Sequence, residues 1–197
     1  ECTEKHALQQ QLKERIVPGA IDVNIMAKVD NLNFSADGQP LPVEYSDALS
    51  ALRGFANSTL SSSVVLSAGY NPRLYSYLEK FSDFYPDEND QLRKKVILKV
   101  SDYRSALIQG KLMAKKGIWI SEFRIESGLN CGGHAFATDG LLLGPILEEF
   151  KHKRGELANE LFTICNNANT ANQRNAFARI PAMRITVQGG IGTAGED

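Results

Sequence analysis

Cys131 and His134 stand three positions apart in the glycine-rich segment 127–140, and they are the pair of side chains best suited to covalent or acid–base chemistry. The thiolate is the reactive form of cysteine, and an adjacent imidazolium lowers the pKa of a thiol. Gly132 and Gly133 separate the two residues, so the backbone can turn both side chains toward one point. We therefore predict that Cys131 and His134 act as general acid and base, or as nucleophile and base, on a bound substrate.

A metal site is the second interpretation of this segment. Zinc prefers about four ligands, of which a Cys-x-x-His pair supplies two. Asp139, His152 or Cys165 would have to complete the site, and the sequence offers no clear second pair. We expect no metal. A third interpretation stays open, in which the segment is a glycine-rich lid and both side chains are incidental to function.

A second chemical signal is the glycine cluster after residues 184–188, in which Gly189, Gly190 and Gly192 precede Thr193. Glycine lets a backbone approach an anion without interference from Cβ, and successive N–H groups can bind phosphate oxygens. A helix N-terminus after the turn would add a favourable dipole. The cluster predicts a phosphate-binding turn, although a tight strand-to-helix turn that merely needs glycine gives the same pattern.

Two lysines, Lys28 and Lys99, are predicted on the polar side of strands at their carboxyl ends. Two ammonium groups there would repel each other unless an anion or a carboxylate lies between them. The carboxylates available are those of Asp30, Asp102 and Glu126. Each lysine is therefore either part of a salt bridge or a ligand for a bound anion, and a Schiff-base role would belong to an aldolase.

These side chains need a scaffold, and the pattern of apolar residues predicts one. Helices separate the predicted strands, as in parallel sheets, yet only one side of each strand is apolar. A closed (β/α) barrel presents such a polar inside, and its chemistry lies at the carboxyl ends of the strands. The predicted strands span residues 23–30, 63–69, 96–101, 118–127 and 184–188. The residues predicted around the mouth are Lys28, Ser67, Lys99, Glu126 and Gln188.

The predicted fold class is thus α/β, a parallel (β/α) barrel that is similar to a TIM barrel and incomplete. A full barrel needs eight βα units and about 250 residues, whereas this chain has 197 residues. We expect a single barrel domain over residues 1–197 that is a piece of a longer polypeptide. The alternative is a complete chain that forms a five-stranded doubly wound sheet.

Helical spacing and capping residues predict the connecting helices. They are a helix over residues 1–17, a helix from a cap at Ser46 to residue 57, a helix that begins at Asn71 and Pro72, and a helix that follows Ser101 or Asp102.

Two stretches have a less regular pattern. Residues 31–45 contain two prolines, which predicts a loop or small hairpin over the mouth. Residues 141–180 are predicted as two helices followed by a polar, asparagine-rich loop at 166–175. A short sixth strand at 161–165 is the alternative there.

Composition excludes several classes of protein. Lys and Arg total 22 against 23 Asp and Glu, and no basic run alternates with aromatic residues, which argues against a nucleic-acid surface. No apolar stretch approaches the roughly 20 residues that span a bilayer, and no signal peptide opens the chain. Three cysteines at irregular spacing argue against a disulfide framework. We expect a soluble, cytoplasmic protein.

Two short motifs carry a resemblance to a known family. Residues 187–193, Val-Gln-Gly-Gly-Ile-Gly-Thr, and residues 97–102, Ile-Leu-Lys-Val-Ser-Asp, resemble the barrel oxidoreductases that depend on flavin mononucleotide (FMN). That group includes dihydroorotate dehydrogenases, the synthase domain of glutamate synthase and nitronate monooxygenases. The resemblance implies that Lys99 lies near the flavin ring. It also implies that Gly189, Gly190, Gly192 and Thr193 bind the flavin phosphate.

The leading hypothesis is therefore an FMN-dependent oxidoreductase that transfers a hydride between the flavin and a small-molecule substrate. A cofactor-free barrel lyase or aldolase acting on a phosphorylated substrate is the second hypothesis, and a non-catalytic binding domain is the third. Further partners would be the rest of the same barrel or another copy of the chain. The residues assigned to cofactor binding are Lys28, Ser67, Lys99, Glu126, Asn130, Gln188, Gly189, Gly190, Gly192 and Thr193.

Overall fold

The structure, a computed structural model, describes residues 2–16, 21–27, 30–126 and 143–189. Within these ranges the chain alternates between helices and strands, with short 3-10 turns at Val43–Tyr45 and Ser82–Phe84. The elements in chain order are α1 Cys2–Arg15, β1 Asp22–Ile25, α2 Asp47–Ala56, β2 Ser62–Leu66, α3 Pro72–Leu78, β3 Lys94–Val100, α4 Tyr103–Ala114, β4 Ile120–Glu126, α5 Leu143–Ala171 and β5 Arg184–Gln188.

The five strands form one parallel sheet in the order β1-β2-β3-β4-β5. The prediction of an α/β fold with a parallel sheet is confirmed, and β5 has the bounds that the alternation predicts. The other four strands differ from their predicted bounds by a few residues. Since each strand pairs with the next one along the chain, their carboxyl ends lie along one edge of the sheet.

One face of the sheet is buried under helices. Val64, Leu66, Leu98 and Phe123 point into an apolar core that also contains buried side chains from α2, α3, α4 and α5. When parallel strands follow in sequence and crossovers are right-handed, all connecting helices lie on the same face. Burial of these apolar side chains supplies the main stabilisation of the fold.

Two helices begin with the caps that the sequence predicts. The side chain of Asn71 accepts a hydrogen bond from the Leu74 N–H at 3.1 Å, and Pro72 occupies the first turn of α3. Asp102 accepts from the Ser105 N–H at 2.7 Å and so caps α4. Each cap satisfies a backbone donor that the helix itself leaves without a partner.

The start of α2 corrects the prediction for Asp30, which was assigned to the polar side of the first strand. β1 ends at Ile25, and the carboxylate of Asp30 lies against the first turn of α2. One oxygen of Asp30 accepts from the Ser46 hydroxyl at 2.7 Å, and the other accepts from the Ala48 N–H at 3.1 Å. Ser46 occupies the cap position, but Asp30 receives the backbone donor.

The long helix α5 corrects the prediction for residues 141–180. It has 29 residues and includes the region predicted as a sixth strand and the first asparagines of the predicted loop. Asn166 exchanges hydrogen bonds with the backbone of Phe177 at 2.8 and 3.0 Å, and Asn169 donates to the Gly117 carbonyl at 3.1 Å. These tertiary bonds offset the weak helix propensity of asparagine. Gly117 has φ 76° and lies so close to Asn169 that a Cβ would overlap it.

Residues 31–45 form the small hairpin-like loop that the sequence allows. Phe34 and Pro40 make an isolated antiparallel bridge, and the 3-10 turn follows. Asn33 donates to the Tyr45 carbonyl at 2.7 Å and to the Asp47 carboxylate at 2.9 Å. The loop is thereby fixed to the start of α2.

Candidate functional site at the carboxyl ends of the strands

The polar face of the sheet contains a nearly buried ion pair at its carboxyl end. The Lys99 ammonium on β3 lies 2.6 Å from a carboxylate oxygen of Glu126 on β4, and their side chains are 7% and 12% exposed. Of the three carboxylates that could have faced this lysine, Glu126 is therefore the partner. Asp30 and Asp102 cap helices instead.

A second cluster occupies the middle of the same face. Arg124 donates through Nε to Glu122 at 2.9 Å, and a terminal nitrogen of its guanidinium lies 2.8 Å from the same carboxylate oxygen. The Thr186 hydroxyl on β5 donates to that oxygen at 2.7 Å. Glu122 is buried and one of its carboxylate oxygens receives all three contacts, so its charge is compensated within the sheet.

Arg124 also reaches across the sheet to β1. Its guanidinium lies 3.5 Å from Asp22, although β2 and β3 separate the two strands. Three strand spacings of a flat sheet amount to about 14 Å, so the two side chains meet over the polar face only because they extend toward each other above β2 and β3. Ser63 and Val65 lie on the intervening strand β2, in register with Asp22 and Asn24.

The polar face therefore carries a nearly balanced set of charges. Lys99 and Arg124 oppose Asp22, Glu122 and Glu126, which leaves a small negative excess among these five. Arg124 and Lys99 are register partners, but their carboxylates lie toward opposite ends of the strands. This arrangement draws the Lys99 ammonium toward the carboxyl end, where a ligand of a (β/α) fold would bind.

The other predicted residues within the described ranges lie at the same edge. Ser67 is buried directly after β2, and Gln188 on β5 is the register partner of Glu126. Gly189 follows with φ 78°, a left-handed conformation that favours glycine. The structure thus brings Ser67, Lys99, Glu126, Gln188 and Gly189 to the ends of four adjacent strands. Their roles stay predictions.

Seven of the predicted site residues lie outside the described residues. They are Lys28, Asn130, Cys131, His134, Gly190, Gly192 and Thr193. The roles that the sequence predicts for these residues stay predictions.

Sequence reasoning missed Asp22 as a member of the polar face cluster. The signal was present, because Asp22 directly precedes the strand predicted over residues 23–30 and by alternation shares a side with Lys28, which was predicted on the polar side. Glu122, Arg124 and Thr186 were placed on that side but not recognised as a network. Alternation along single strands does not show that side chains of β1 and β4, which β2 and β3 separate, come into contact.

Two further titratable groups near the sheet have shifted pKa values. Burial alone would raise the pKa of Asp102, but hydrogen bonds from Ser105 and Ser101 outweigh it and hold the pKa below its ordinary value. Burial raises the pKa of the Cys165 thiol to about 12. Cys165 is fully buried in α5 and so is an inert core residue rather than a nucleophile or metal ligand.

Among the described residues, no three His, Cys, Asp or Glu side chains are grouped so that they could hold a metal ion. None of the described helices combines the length and apolarity needed to cross a membrane. No protein-family model, curated protein or solved structure matches this chain significantly.

Proposed function

We propose that this chain is an FMN-dependent oxidoreductase built on a (β/α) barrel. The observation that carries the proposal is the Lys99–Glu126 pair on the polar face, at the strand ends next to the left-handed Gly189. A nearly buried cation beside a glycine turn is suited to a planar, anionic cofactor with a phosphate group.

The arrangement of the sheet supports the barrel part of the proposal. The strands follow in sequence, and the buried side chains of α2, α3, α4 and α5 share one core with Val64, Leu66 and Leu98 of the apolar face. The opposite face carries charged side chains that meet from β1 to β4, as Asp22 and Arg124 do. A doubly wound sheet would bury both faces under helices and favour apolar residues there.

The residues present fit the cofactor at the positions that the structure describes. Gly189 has the backbone conformation that lets a chain approach a phosphate closely. Lys99 has an ammonium group with hydrogen-bond donors beyond the one that faces Glu126. FMN, when bound, would supply the hydride-transfer chemistry.

The chain's own residues would bind and orient the flavin, and they would move a proton. Lys99 would place positive charge beside the flavin ring, and Glu126 would hold the ammonium in position. Gly189, with Gly190, Gly192 and Thr193, would bind the phosphate through backbone N–H groups. Cys131 or His134 would take or give the proton that accompanies hydride transfer to or from the substrate.

The test is a flavin-binding measurement on the purified chain. We expect FMN to bind with quenched flavin fluorescence, and we expect riboflavin, which lacks the phosphate, to bind at least tenfold more weakly, since charge-assisted bonds to phosphate would be lost. Lys99→Met should weaken FMN binding, whereas Lys115→Met, at an exposed lysine after α4, should not. Equal affinity for FMN and riboflavin, or no binding of either, would overturn the proposal.

The lyase alternative has its own signature in the same lysine. Lys99 is a nearly buried lysine at the end of a strand, which is the setting of a Schiff-base amine. Borohydride treatment with a phosphorylated aldehyde or ketone would then trap a covalent adduct on Lys99. Such an adduct, without flavin binding, would replace the oxidoreductase proposal.

A further inference from the structure

A cavity of about 670 Å³ lies at the other end of the same polar face. Its floor is formed by the amino-terminal halves of β2 to β5, including Ser63, Ile97 and Glu122. Its walls are residues 90–92 and 177–182. The volume is within the range of small-molecule sites.

Hydrogen bonds hold the walls of this cavity in place. Both carboxylate oxygens of Asp90 accept from the Ala178 N–H at 3.2 Å, which joins one wall to the other. The indole N–H of Trp119 donates to the Ala182 carbonyl at 3.4 Å, and the rings of Trp119 and Phe177 pack edge to face. The cavity is therefore a built feature that joins three segments distant in sequence.

The acidic and the cationic residues that line the cavity differ in whether they have hydrogen-bond or ion-pair partners. Its two acidic residues are both engaged, Asp90 with the Ala178 N–H and Glu122 with Arg124 and Thr186. Its three cationic residues are Lys95, Arg179 and Arg184, which are exposed. Within the described ranges, no ion pair or side-chain hydrogen bond engages any of the three. The cavity thus presents cations whose donors are available to a ligand.

From this imbalance we infer that the cavity binds a small organic oxyanion, a molecule that carries a phosphate or carboxylate group on an apolar body. Arginine presents a rigid fork of donors that matches such oxyanions, and a lysine adds a point charge. The half-buried Leu92 and the 41% exposed Ile180 offer apolar surface for the body of the ligand.

This site is separate from the one proposed for FMN. Ile97 and Glu122 line the cavity, whereas Lys99 and Glu126 occupy later positions on the same strands. The Arg124 cluster lies between the two ends of the face. The inference therefore stands or falls independently of flavin binding.

Calorimetric titration of the full chain tests the inference, with pyrophosphate as the phosphate probe and citrate as the carboxylate probe. We expect one of the two to bind, with an affinity that falls as salt is added. The tighter probe identifies the oxyanion class. Arg179→Gln and Arg184→Gln should each weaken that binding by about tenfold or more, because each removes charge-assisted hydrogen bonds.

Two control variants make the result specific. Arg104→Gln removes the same charge from an exposed arginine on α4 and should leave the affinity unchanged. Lys115→Gln removes the charge of an exposed lysine after α4 and should also leave it unchanged. Binding that both cavity variants keep at full affinity would assign the anion to another site and overturn the inference. Absence of binding by both probes would overturn it as well.

Discussion

Lys94 is a fully buried lysine, and its surroundings explain how the core tolerates it. Its ammonium donates to the Ser58 carbonyl at 3.0 Å, to the Ser58 hydroxyl at 2.9 Å and to the Leu60 carbonyl, and it lies 4.5 Å from the centre of the Phe55 ring. Burial, with a smaller effect of Arg93, lowers the pKa of Lys94. The lysine ties the amino end of β3 to the segment that leads into β2.

We predict that Lys94→Met destabilises the protein by about 1–3 kcal/mol, because methionine keeps the apolar stem but leaves the partly buried carbonyls of Ser58 and Leu60 without this donor. Lys95→Met is the matched control, since Lys95 is the next residue and is exposed on the opposite face. It should change the free energy of unfolding by less than about 0.5 kcal/mol. Urea unfolding of the three proteins measures both values, and equal stability of the two variants would contradict the role given to Lys94.

The Lys99–Glu126 pair shows how far residue-level reasoning from the sequence can go. The alternation placed Lys99 on the polar side, where a bound anion or a carboxylate was expected beside it, and Glu126 was one of the three candidate carboxylates. It could not choose, because Asp30 and Asp102 were equally acidic and equally near a strand end. Only the position of the helix N-termini shows that those two carboxylates accept from backbone donors.

At the scale of elements, strands were predicted better than the long helix. Alternation within a strand depends on a single period, so β5 was found residue for residue, and β2, β3 and β4 were located to within a few residues. α5 was divided in two because its run of asparagines is typical of a loop. The hydrogen bonds that keep Asn166 and Asn169 in the helix go to Phe177 and Gly117, which the local sequence does not reveal.

The cap of α4 gives a prediction with a defined pH dependence. Asp102→Ala should cost about 1 kcal/mol at neutral pH, because the Ser105 N–H loses its acceptor. The pKa of Asp102 is lower in the folded protein than in the unfolded chain, so its carboxylate stabilises the fold fully above the ordinary aspartate pKa. That stabilisation is lost as the pH falls through the lowered value.

Urea unfolding at a series of acidic pH values checks this expectation. The difference in stability between the unsubstituted chain and Asp102→Ala should shrink as the pH falls. Asp102→Asn keeps an acceptor that does not titrate, so its difference from Asp102→Ala should vary much less with pH. A difference between the unsubstituted chain and Asp102→Ala that is independent of pH would contradict the cap as the source of the shift.

At the scale of the whole molecule, the polar face is organised into three levels along the strands. The cavity with its unengaged cations lies at the amino end, the Arg124 network lies in the middle, and Lys99 with Glu126 lies at the carboxyl end. The sequence predicted the last level from strand parity. It could not predict the first, because residues 177–182 have no regular period and are held at the cavity by tertiary contacts, such as those of Ala178 with Asp90 and of Ala182 with Trp119.

The contact between Asp22 and Arg124 tests whether β1 and β4 approach each other over this face. A double-mutant cycle with Asp22→Ala and Arg124→Ala isolates this contact. Both proteins that carry Arg124→Ala lose the contact with Glu122, so that loss cancels in the coupling free energy. The two side chains are 26% and 22% exposed, so we expect a coupling free energy of about 0.5–1 kcal/mol, measured by urea unfolding at low salt. The Lys80–Glu44 pair, with side chains 58% and 41% exposed, is the control and should show almost no coupling. A coupling between Asp22 and Arg124 no larger than that of the control would mean that β1 does not lean toward β4 in solution, and the curved polar face on which the barrel proposal depends would lose its support.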